Sequence, residues 1–179
     1  MATIGASYPV FTPIIKESTL NKDAVYGAGV VIGKMMNVST TENFTVGTML
    51  TNYKHRFEYA VVTLGTSEIP IAAGVTMFGY KQNENTISDP IMTGIPGAFG
   101  YIEKKIINGK KKYIAWWIRR VVFTPPSQSA VTKGDNVSFT TPSITGTAIK
   151  EGKTWRDRSD FNSFAEAKNY LKRKAGIIE

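Results

Sequence analysis

Cysteine is absent from this 179-residue chain, which excludes disulfides, thiol catalysis and cysteine-based zinc sites together. Histidine is almost absent: the one imidazole, His55, lies between Lys54 and Arg56 with no acidic neighbour in sequence to orient it as a base or a metal ligand. Long apolar runs are missing too. No stretch approaches the length that spans a bilayer, and residues 1–9 have neither a basic flank nor an apolar segment, so the chain is read as cytosolic at synthesis. The Asn-X-Ser/Thr triplets at Asn37, Asn43 and Asn136 therefore carry no weight as glycosylation sites. Acids are the scarcer charge, 14 against 22 Lys and Arg, which leaves a net charge of +8 and suggests an anionic partner or plain solubility.

What is present is organised around residues 99–123. Asn108-Gly109 separates two runs of aromatic and β-branched residues, and this dipeptide accepts the positive φ values of a two-residue type I′ turn. A long antiparallel hairpin is predicted. Its second arm alternates Tyr113, Ala115, Trp117 and Val121 on one face with Ile114, Trp116, Ile118 and Val122 on the other, so both faces require cover. The same hairpin concentrates charge, with Lys104, Lys105, Lys110, Lys111, Lys112, Arg119 and Arg120 against Glu103 alone. Lysines at a hairpin tip also discourage unwanted strand pairing, so this patch has a structural reading beside the functional one.

Around that centre the chain divides into recognisable pieces. Residues 1–24 read as an extended arm held open by Pro9 and Pro13, which either lies across its own sheet or reaches a neighbour. Residues 25–35 form a glycine-punctuated strand that nearly matches a phosphate loop at Ala28 to Lys34. Met35 stands where such a loop needs Ser or Thr for magnesium, and bulges or close backbone approach explain the glycines better. Residues 38–53, rich in Ser, Thr and Asn, read as a long loop suited to partner contact. Residues 56–64 return to strand, and residues 67–79 read as a short buried helix capped by Ser67 and ended by Gly79. A strand with Val137 and Phe139 on one face follows the hairpin, and residues 150–160 read as a surface hairpin. The chain closes on a helix with a Ser163/Glu166 capping box, an apolar face of Phe164, Ala167, Tyr170 and Leu171, and Gly176 at its end.

The sum is a single mainly β domain over residues 1–179: an antiparallel sandwich or barrel with one short internal helix and one C-terminal helix. Core anchors are expected at Tyr113, Trp116, Trp117, Phe139, Phe164 and Leu171, and contacts with partner chains at Tyr8, Phe11, Phe44, Val46, Met49, Leu50 and Tyr53. Nothing positively suggests catalysis, a metal or a cofactor, because Asp157 and Asp160 sit among Arg156 and Arg158 as a solvated ion-pair surface. The rival reading is a basic domain that binds single-stranded nucleic acid, since Tyr101, Tyr113, Trp116 and Trp117 interleave with Lys and Arg.

Several segments in order narrow this further: Ser7-Tyr8-Pro9-Val10; Tyr26 through Lys34; Gly100-Tyr101-Ile102 leading to Asn108-Gly109-Lys110 and Tyr113 through Trp117; Thr132-Lys133-Gly134-Asp135 with Phe139 through Pro142; and Phe164 through Ile177. Over nearly its full length the chain resembles the major tail protein of long-tailed bacteriophages, of the phi13 type. The resemblance implies a tail-tube-like fold and a structural virion protein whose copies form stacked hexameric rings around a channel for double-stranded DNA. Its implied partners are further copies of itself and other tail proteins such as the tail terminator, tape measure and distal tail proteins. No cofactor, enzymatic activity or membrane insertion is implied, and the location is the virion tail after synthesis in the bacterial cytoplasm. A channel that lets DNA slide has to repel phosphate, so the basic residues are expected outside and acids such as Glu42, Glu58 or Glu84 toward the lumen.

Overall fold

The computed structural model describes residues 2–17, 19, 24–46, 55–90, 94–127 and 143–177. Among these the chain is mainly β, with eleven strands and two helices. The strands are β1 (Ala2–Lys16), β2 (Val25–Tyr26), β3 (Val30–Val31), β4 (Met35–Val46), β5 (His55–Thr66), β6 (Lys81–Asn83), β7 (Thr86–Ser88), β8 (Gly97–Ile107), β9 (Lys110–Thr124), β10 (Ser143–Ala148) and β11 (Arg156–Phe161). Helix α1 spans Ile71–Phe78 and α2 spans Phe164–Ala175.

One antiparallel sheet runs β2-β1-β8-β9-β10-β5-β4, with β3 beside β1 and β11 beside β9, while β6 and β7 form a separate small hairpin. The β8–β9 hairpin forms as the sequence predicts, because Asn108 and Gly109 both take positive φ, 50° and 73°. The sheet rolls until β1 and β4, near its two ends, touch across the interior. The larger core fills this roll with Phe11, Ile32, Leu64, Phe99, Ile118, Phe123 and Ile144, and α1 adds Ala73, Met77 and Phe78 where β9 ends. The other face of β1, β8 and β9 is covered by α2, whose Ala167, Leu171 and Ala175 meet Ala98, Ile102, Ala115 and Trp117. Each large residue of β9 thus has a floor on its own side, as an apolar strand on both faces needs.

Bulges set which side chain goes where. Opposite Gly97 and Phe99, β9 carries one extra residue between Ile118 and Val121, and the extra residue reverses the alternation. Val121 therefore enters the core with Ile118 instead of joining Tyr113, Ala115 and Trp117 beneath α2. A second bulge places Glu58 between Phe57 and Tyr59 on β5. A third puts Tyr8 in the left-handed region, φ 55°, where β1 slips relative to β8. That conformation is unfavourable for a bulky side chain, and here packing beside α2 and the Lys168 ammonium 5.3 Å from the ring hold it.

Of the two readings of the N-terminal arm the first holds: residues 2–16 lie in the chain's own sheet, paired with β8 from Ala2 to Pro13, because an extended chain with open backbone groups finds the hairpin edge. Three expectations change. Residues 38–46 are strand, since Ser, Thr and Asn sit well on a solvent-facing side when β5 supplies a full ladder, while residues 47–53 lie outside the described residues. Helix α1 starts after Pro70 with no side-chain cap, so Ser67 does not cap it, although Gly79 ends it in the left-handed region as expected. Residues 150–160 are not a surface hairpin: a tight turn at Glu151–Thr154 leads into β11, which pairs with β9. The glycines of 25–35 do mark close approaches. A Cβ at Gly29 would lie 2.4 Å from the Ala175 carbonyl oxygen, and Lys34 leads into a strand where a phosphate loop would open a helix. The predicted strand around Val137 and Phe139 lies outside the described residues.

Candidate assembly and interaction surfaces

One arginine of β11 joins β9 to β4. Arg156, the first residue of β11, places its guanidinium carbon 4.3 Å from the centre of the Trp116 ring and 4.5 Å from that of Trp155. Trp155 stacks on Phe57 at 5.1 Å, and Phe57 meets Phe44 edge-on. The same guanidinium donates to Thr40 Oγ1 at 3.4 Å and Glu42 Oε1 at 3.3 Å on β4. One side chain therefore ties the β9 side of the sheet to its β4 edge, which share no hydrogen-bonded ladder. Arg156→Ala is expected to lower stability by about 2–3 kcal/mol in urea unfolding, since it removes two aromatic faces and a half-exposed ion pair. Arg156→Lys should recover less than half, because an ammonium cannot fill a planar slot between two rings.

The second feature is the outer edge of β4. Its 12 residues hydrogen-bond to β5 on one side and to no described strand on the other. Other open edges are short, bulged or charged, as on β2, β3 and β11. β4 has no Lys, Arg or Pro, and it exposes Met36 and Phe44 (57% and 48%). Apart from the bulge at Met36 and the charge of Glu42, this edge carries none of the lysines or prolines that keep strands from pairing between molecules.

The third is a three-stranded tongue built from residues 2–7, 102–107 and 110–115. Its one acid, Glu103, accepts from Trp116 Nε1 at 2.9 Å and Thr3 Oγ1 at 3.0 Å and pairs with Lys105 at 3.1 Å. Burial pushes this carboxyl up, but the hydrogen bonds from Trp116, Lys105 and Thr3 outweigh it and hold the group below its ordinary range. Beside it, burial raises the Tyr101 phenol to about 12. Lys112 donates to Asn162, and the neighbouring Asp160 is held low by its hydrogen-bonded pair with Arg158.

The predicted residues separate accordingly. Phe44 is exposed at the β4 edge. Phe11, expected at a partner contact, is fully buried in the core and offers no surface, because its parity on β1 points into the roll. Tyr8 is half-buried against α2, and Val46 ends β4. Met49, Leu50, Tyr53 and Phe139 lie outside the described residues. Of the core anchors, Trp117 and Leu171 are buried, Tyr113 and Trp116 are half-buried, and Phe164 is 38% exposed, edge-on to Tyr113. Glu42, Glu58 and Glu84 are all exposed, and Glu42 pairs with Arg156 at 3.3 Å. Sequence reasoning placed Arg156 only in a solvated ion-pair surface, for Thr40 and Glu42 meet it only after the sheet has rolled.

Among the described residues, no group of three or more His, Asp or Glu side chains could hold a metal ion, and no helix is long and apolar enough to cross a membrane. Comparison with known proteins finds no matching family model and no matching curated protein.

Proposed function

We propose that this chain is a structural subunit that assembles with copies of itself into stacked hexameric rings, the tail tube of a long-tailed bacteriophage, through which DNA passes into the host. The observation that carries the assembly is the long, uncharged-but-for-Glu42 outer edge of β4 with Met36 and Phe44 exposed. An edge of that kind takes up another strand. A rolled sheet with one flanking helix also accords with the resemblance in the sequence, from which the ring, the tube and the virion location are taken. Partners of the assembled tube, on this reading, are the tail proteins that start, measure and terminate it.

Stacking of single-stranded bases on the hairpin is not favoured, because its aromatics are already engaged. Trp117 lies beneath α2, Tyr101 is buried, Trp116 is covered by Arg156, and Tyr113 packs on Phe164. Negative-stain electron microscopy across a concentration series tests the proposal. Rings or tubes with an open centre are expected as concentration rises, and dispersed single chains at every concentration, even with a purified tail-tip complex added as a seed, would overturn it.

A further inference from the structure

The tongue carries a charge pattern that assembly does not use. Its acids are spoken for: Glu103 by Lys105, Trp116 and Thr3, and the adjoining Asp160 by Arg158. Lys104, Lys110 and Lys111 are left with no hydrogen bond or ion pair among the described residues. Lys110 and Lys111 are exposed at the tip, and Lys104 lies half-buried across from Tyr113. Lys105 stands directly opposite Lys112, so the hairpin keeps like charges face to face where mixed pairs would be more stable.

The kind of partner follows from the residue types. Protein interfaces draw on Trp, Tyr and Arg and are depleted in Lys, and this tip has Lys without an exposed aromatic ring. A lipid surface is gripped by apolar insertion together with charge, and only Ile4 and Ile106 are exposed here, on different strands. Lysines are compact, strongly hydrated point charges that bind phosphate without geometric selection. Beside the tip, the Asn162 side-chain oxygen accepts from Lys112. We propose that the tongue tip, with Lys104 and Lys111 on one face of the hairpin and Lys110 on the other, grips the phosphate backbone of duplex nucleic acid by charge alone and independently of base sequence. A duplex is chosen over a single strand because the ring faces that would stack unpaired bases are occupied within the fold.

Three lysine–phosphate contacts give a slope of about −2.7 in log affinity against log salt, or about a 40-fold loss between 50 and 200 mM. The test is fluorescence anisotropy with a labelled mixed-sequence duplex, the matching single strand, and phosphatidylserine vesicles, at protein concentrations below those that give particles. Wild type is expected to show that salt dependence with duplex. K104Q/K110Q/K111Q should lose nearly all of it, while K81Q/K150Q/K153Q, with the same change in net charge on exposed residues elsewhere, should keep it. Equal loss in both triple variants, no loss in the tongue variant, or tighter binding to single strand or vesicles than to duplex would each overturn the site. Both triple variants should still form particles in the microscope, so a failed duplex site and a failed assembly reading give different results.

Discussion

Met36→Lys combined with Thr41→Lys is expected to leave the purified protein as dispersed single chains at concentrations where wild type forms rings or tubes. Met36 bulges out at one end of β4, and Thr41 lies exposed in mid-strand opposite Val61 of β5. Neither side chain enters the core, so the fold should hold to within about 1 kcal/mol, the span of strand propensities. Lysines on an edge strand repel one another and their water shells resist burial, which is how natural sheets prevent edge pairing. Sedimentation and microscopy on the same samples read the outcome. If the double variant assembles as wild type does, the β4 edge is not the contact and the proposal loses the observation that carries it.

Trp117→Ala is expected to have the largest effect on the fold, a loss of about 3–5 kcal/mol, the usual range for truncating a buried aromatic residue. Trp117 is 1% exposed and lies between the sheet and α2. Tyr26 meets its ring edge-on at 5.8 Å, and the Lys174 ammonium sits 5.9 Å from it. Closing the cavity would require α2 to move inward, but Leu171 already packs above Gly100, where a Cβ would come within 2.9 Å of Leu171 and of Trp117 itself. The lost contacts therefore cannot be recovered by collapse. For a chain of this length each kcal/mol shifts the melting temperature by about 2–4 °C, so a drop of roughly 10 °C is expected by calorimetry. A change under 1 kcal/mol would mean that α2 contributes little to the cooperative fold. The paired comparison with Arg156→Ala then separates the two sides of β9, since Trp117 serves the helix layer and Arg156 the interior of the roll.

Features that depend on a few adjacent residues are legible in the chain before it folds. Asn108-Gly109 specified its turn because few other dipeptides tolerate two positive φ values. Ser163 and Glu166 set the start of α2 through a reciprocal capping box, and Gly176 set its end with φ 64°. The apolar alternation of β9 required cover on both faces, and two cores supply it. The rest follows from contacts between distant segments. A Thr-, Ser- and Asn-rich segment became β4 because β5 offered a ladder, and the tendency of such residues to form strand depends on the neighbour more than on themselves. Single extra residues on β9 and β5 reversed the faces of everything beyond them, and no local pattern announces where a bulge will fall. Arg156 reads in sequence as one member of a solvated charge cluster; the β9–β11 ladder sets it over Trp116, and only the rolled sheet brings it to Thr40 and Glu42, more than a hundred positions away.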